Sequence, residues 1–60
     1  MNRLKEFRET AGISQEELAR KSGVSRVTIS MLETGAQKNI TASTLSKLAE
    51  ALGKKIADFF

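Results

Sequence analysis

Sixty residues suffice for one small domain, residues 1–60, and ten Lys and Arg against seven Asp and Glu leave a formal charge of +3, which permits a polyanionic partner without demanding one. Cys, His, Trp and Tyr are absent, which removes disulfides, thiolate or imidazole metal sites and His-assisted nucleophiles, so no metal, no cofactor and no enzyme activity are expected. No apolar run approaches the roughly 18 residues of a membrane span and the first residues are charged, so a soluble, cytoplasmic protein without a membrane partner is expected.

The first predicted element is a helix near 2–11, where Leu4, Phe7 and Ala11 fall on one stripe and Gly12 supplies the stop. Next comes the string Ile13-Ser14-Gln15-Glu16-Glu17-Leu18. It opens a helix near 14–22 that Gly23 closes. Ser14 is placed to cap the first turn and Glu17 to reach back to the Ser14 amide, a full capping box, with Ile13 and Leu18 as the flanking apolar pair. Glu16 with Arg20 and Glu17 with Lys21 stand at i,i+4, solvated pairs worth about 0.2–0.5 kcal/mol each. The two adjacent acids point to different faces and have no partner group for catalysis.

The same pattern recurs in Val24-Ser25-Arg26-Val27-Thr28-Ile29, opening a helix over 25–34 that ends at Gly35, and in Ile40-Thr41-Ala42-Ser43-Thr44-Leu45, opening one near 42–52 that ends at Gly53. Thr28 and Thr44 are shorter than Glu17, so a reciprocal box is not expected there. Leu45, Leu48, Ala49 and Leu52 form the stripe of the fourth helix. Ile56, Phe59 and Phe60 mark a last helix near 55–60. Strands have no comparable support, and the fold expected is all-α with five helices.

Between Ser14 and Gly35 two short helices are separated by a few residues around Gly23, which forces a steep crossing. Ala19 provides the small residue at the close approach, and Leu18, Val24, Ile29 and Leu32 provide the apolar wedge beneath. With Ile29 and Leu32 turned inward, a wheel of the third helix puts Arg26, Val27, Ser30 and Met31 on the opposite face, which holds no acid. On DNA, Arg26 suits the O6 and N7 of a guanine, Val27 and Met31 suit thymine methyls, and Ser30 suits a base or a phosphate. The alternative is that a partner subunit buries Val27 and Met31 while Arg26 is merely solvated.

The residues Ile13 to Ala19, Ser22 to Ser25 and Ile29 to Gly35, followed by Leu45 to Gly53 and Ile56 to Phe60, resemble the helix-turn-helix family of lambda-repressor-like and Cro-like regulators (XRE-type) over essentially the whole chain. The resemblance implies a five-helix domain whose second and third helices, about 14–34, bind double-stranded DNA with the third in the major groove. It makes the positions of Arg26, Val27 and Met31 base readers. To Gln15 it gives a phosphate contact and a hydrogen bond toward the recognition helix, and to Lys38 a phosphate contact. Ser14, Ser25 and Thr28 complete the phosphate set, the two serines being caps first. Glu33, the one acid between Leu18 and Ala49, resembles the family acid that pairs with a base of the first helix, here Arg8, in a structural bridge.

These features read together as a sequence-specific transcriptional regulator, a repressor, working as a homodimer on a symmetric operator. The dimer surfaces expected are the last helix with Phe59 and Phe60, residues that are more often core than interface, and the loop before the fourth helix. Two other readings use the same fold: the antitoxin of a toxin–antitoxin pair, and a module that binds protein through the apolar pair on the third helix.

Overall fold

The computed structural model describes residues 3–59. Four α-helices, α1 (Leu4–Thr10), α2 (Gln15–Ser22), α3 (Arg26–Thr34) and α4 (Ala42–Leu52), are followed by one 3-10 turn, Ile56–Phe59, and the described residues include no strand. The helix starts follow the local chemistry of their caps. Ser14 Oγ accepts from the Glu17 amide at 3.0 Å while Glu17 Oε1 accepts from the Ser14 amide at 3.2 Å, the full box. At the next two starts the cap works differently. Ser25 Oγ accepts from the Thr28 amide at 3.1 Å and donates to Thr28 Oγ1 at 2.8 Å, and Thr41 and Thr44 repeat this at 3.1 and 2.9 Å. A threonine cannot reach the backbone of the capping residue, so it meets the capping hydroxyl instead.

Several sequence expectations change. The first helix is shorter than 2–11, because Arg3 at its start has φ −92° and ψ 14° and offers no side-chain cap; the Asn2 end of that expectation lies outside the described residues. The expected fifth helix is a single 3-10 turn of four residues. Asp58 folds it tightly: its amide donates to the Lys55 carbonyl at 2.9 Å and its carboxylate accepts from the Lys55 amide at 2.9 Å. Finally, Glu16–Arg20 and Glu17–Lys21 do not pair. The ion pairs among the described residues are Arg3–Glu6 and Arg8–Glu33, and Glu17 is engaged at its own cap.

The core gathers Leu4, Leu18, Val24, Ile29, Leu32, Leu45, Leu48, Ala49 and Phe59, with Ile13, Ala19 and Ile40 packed at its edge. Each apolar residue before a cap therefore meets the same core as the residue that opens the following turn, and this sets the angle at which each helix is approached. Phe59 is 1% exposed. It packs edge to face on Phe7 with ring centroids 5.1 Å apart, so of the two roles weighed for it Phe59 takes the core one. Phe60 lies outside the described residues. Ile56, grouped with Phe59 in the sequence pattern, is 42% exposed at the other end of the turn.

Candidate nucleic-acid interface

The turn between α2 and α3 is built from three adjacent residues. Gly23 takes a left-handed conformation (φ 76°, ψ 11°) and its amide donates to the Ala19 carbonyl at 2.9 Å. Ser22 Oγ donates to the Leu18 carbonyl at 2.7 Å and accepts from the Val24 amide at 3.1 Å. One hydroxyl thus ends α2 and starts the run into α3, while Val24 enters the core and Ser25 caps the next helix.

With Ile29 and Leu32 fully buried, the outward face of α3 carries Val27, 67% exposed, and Met31, 37% exposed. Arg26, Val27, Ser30 and Met31 line one shallow depression. Arg26 is exposed and makes no hydrogen bond or ion pair with the described residues. The four expected base readers therefore share one surface. Arg26 also borders a second cleft with Arg8, Ser14, Gln15 and Glu16, which joins the first residue of α3 to the first turn of α2. A third, more open groove runs along Glu16, Ala19, Arg20, Gly23, Val24 and Ser25.

The expected phosphate set is only partly assembled. Ser14 and Gln15 share the second cleft and Ser25 borders the third, with Thr28 bonded to it. Along Ser25–Thr28 the hydrogen bonds run from the Thr28 amide to Ser25 Oγ and on to Thr28 Oγ1. Lys38 stands exposed on the loop after α3 and lines none of these clefts. Glu16 and Arg20 were read as solvated support. In the structure Glu16 borders two clefts and Arg20 one. Their i,i+4 spacing already puts them on a single stripe of α2, and the shared stripe is the signal that finds them.

Beneath this surface lies a polar cluster centred on Glu33, whose side chain is 3% exposed against 13% for Arg8. Arg8 Nε donates to Glu33 Oε2 at 2.6 Å and Arg8 Nη2 donates to Oε1 at 3.0 Å, a forked pair. Arg8 Nη1 donates to the Ile13 carbonyl at 2.9 Å, and Gln15 Nε2 donates to Glu33 Oε1 at 3.0 Å. Burial pushes the Glu33 carboxyl up, but the hydrogen bonds from Arg8 and Gln15 and the charges of Arg8 and Lys5 outweigh it and hold the group below its ordinary range. In turn the hydrogen bond from Glu33 raises Arg8 above its ordinary value against the cost of burial. Among the described residues no buried side-chain nitrogen or oxygen is left without a partner.

A short glycine turn, a capped second helix with an unencumbered outward face, and a buried acid joining both to the first helix define a helix-turn-helix unit. The chain belongs to the XRE-type helix-turn-helix family, whose model it matches over residues 4–59. Two proteins of Archaeoglobus fulgidus, each named an uncharacterized HTH-type transcriptional regulator, are 43% identical to it over 58 residues, which cover 97% of this chain and 81% and 80% of theirs. A protein of Methanocaldococcus jannaschii with the same description is 41% identical over 59 residues, 98% of this chain and 88% of its own.

Proposed function

We propose that the protein is a sequence-specific regulator of transcription, a repressor, that binds double-stranded DNA as a homodimer with α3 in the major groove. The observation that carries this reading is the outward face of α3, where a guanidinium unpaired among the described residues, two exposed apolar side chains and a hydroxyl sit side by side with no acid among them. Such a face matches the donors, acceptors and methyl groups of the major groove. In this reading Arg26 forks onto a guanine, Val27 and Met31 pack on thymine methyls, and Ser30 completes the base contacts. Ser14, Gln15, Ser25, Thr28 and Lys38 hold phosphates, aided by the free amides at the starts of α2 and α3.

A domain with so few cationic phosphate contacts binds one half-site weakly, and two copies on mirrored half-sites about one helical turn apart repair this. The loop before α4 is a candidate surface for the second copy. Descriptions of the relatives as transcriptional regulators support the same reading. Selection from a randomised duplex library at low and moderate salt tests it. A motif with two mirrored halves is expected. Weak binding that selects no motif and disappears uniformly with salt would contradict it.

A further inference from the structure

We infer that Glu33 is a positioning residue for DNA binding, one that fixes which way the Gln15 side-chain amide faces so that an N–H is presented to a phosphate in the cleft at the start of α2. This inference rests on the DNA-binding reading and adds to it a residue that touches no DNA.

A glutamine amide has a donating end and an accepting end that exchange by rotation about its last bond. Left alone, the Gln15 amide would offer its carbonyl oxygen to a phosphate as readily as its nitrogen, and two acceptors repel. Glu33 removes that freedom. Its carboxylate can only accept, so the nitrogen of Gln15 must face it, as the 3.0 Å contact from Nε2 to Oε1 records. One amide hydrogen is used there, and the second remains for the cleft lined by Arg8, Ser14, Gln15, Glu16 and Arg26.

The acceptor is itself immobile. Arg8 grips both carboxylate oxygens, at 2.6 and 3.0 Å, and is held by the Ile13 carbonyl at 2.9 Å. Ile13 lies two residues before Gln15, so the loop that leads into α2, the glutamine that opens it and the buried acid of α3 form one closed circuit. A misplaced α2 start would break it. With Glu33 3% exposed, water has little access to substitute as a partner, and the protein pair decides the orientation.

The test uses four proteins: native, Gln15→Ala, the double variant Arg8→Met/Glu33→Leu, and the triple variant. The double variant replaces the ion pair with apolar groups of similar volume, a change that tends to preserve folding. On a duplex that the native protein binds, Gln15→Ala should weaken affinity by about tenfold or more, as for a hydrogen bond to a charged group. In the double-variant background the same substitution should cost less than about threefold, since the amide is already free to turn. An equal loss in both backgrounds overturns the inference.

A second readout needs neither DNA nor the variants. In the free native protein the side-chain NH2 of Gln15 should be rigid by nuclear magnetic resonance relaxation, in contrast to that of exposed Asn39. Equal mobility of the two overturns the inference. A rigid Gln15 amide in a protein that binds no duplex would overturn the DNA-binding reading and leave the orientation by Glu33 standing.

Discussion

Glu33→Ala should strip the protein of a large share of its stability. The substitution leaves the Arg8 guanidinium, 13% exposed, without its carboxylate and removes the acceptor of Gln15. Breaking a buried pair from one side costs about 3–5 kcal/mol. At about 0.05–0.15 kcal/mol per residue, a chain of 60 residues holds only about 3–9 kcal/mol in total. The loss therefore takes from about a third of the stability to all of it, whereas Arg8→Met/Glu33→Leu, which leaves no orphaned charge, should stay much closer to native.

Urea unfolding followed by far-ultraviolet circular dichroism is the suitable assay, because the chain has no Trp and no Tyr to fluoresce. The pair also sets a pH dependence. Folding lowers the Glu33 value, so its contribution is fully present above the unfolded value of about 4.3 and is lost as pH falls through the lower folded value. Native stability should thus drop below about pH 4 more steeply than that of the double variant. A Glu33→Ala protein with the native urea midpoint, or parallel acid profiles for native and double variant, would refute the reasoning.

Further substitutions probe the turn, the core and the reading face. Gly23→Ala should cost about 1–2 kcal/mol through the left-handed backbone alone, because an added Cβ would meet nothing within 4 Å; a larger loss in urea unfolding would mean a steric role the structure does not contain. Phe59→Ala should destabilise the monomer by about 3–5 kcal/mol, and a loss of self-association at unchanged stability would instead restore Phe59 to an interface. Arg26→Ala should relax discrimination at one base pair by about 1–3 kcal/mol, measured on duplexes substituted one pair at a time. Uniform weakening on every duplex would reduce Arg26 to a phosphate contact.

What could be read directly from the residues was what depends on near neighbours. Three helix starts follow from Ser14, Ser25 and Thr41, because a capping hydroxyl acts within three residues of itself, and the Gly23 stop follows from one backbone conformation. The end of the chain was less legible. Ile56, Phe59 and Phe60 suit either a helix or a tighter turn, and Asp58 bonding to the Lys55 backbone selects the 3-10 form. Glu17 was read both as the partner of the Ser14 amide and as paired with Lys21, and it bonds to the amide.

Contacts between distant residues needed the family resemblance or the structure. Arg8 and Glu33 are 25 positions apart and Gln15 and Glu33 are 18 apart, separations that no helical period connects. The resemblance suggested the Arg8 partner and a bond from Gln15 toward the third helix. That one carboxylate serves both, with the Ile13 carbonyl closing the circuit, is visible only in the folded structure. Glu16 in the cleft beside Arg26 was unforeseen because a wheel of α3 alone does not include the neighbouring helix.

The most direct test of the central claim is a nuclear magnetic resonance titration of the protein with a duplex from the selected pool, following backbone and side-chain shifts. Changes concentrated at Arg26, Val27, Ser30 and Met31, with a second group at Ser14, Gln15, Ser25 and Thr28, are the result this account requires. Changes centred on the 3-10 turn and the exposed Ile56, with the outward face of α3 unmoved, would contradict it.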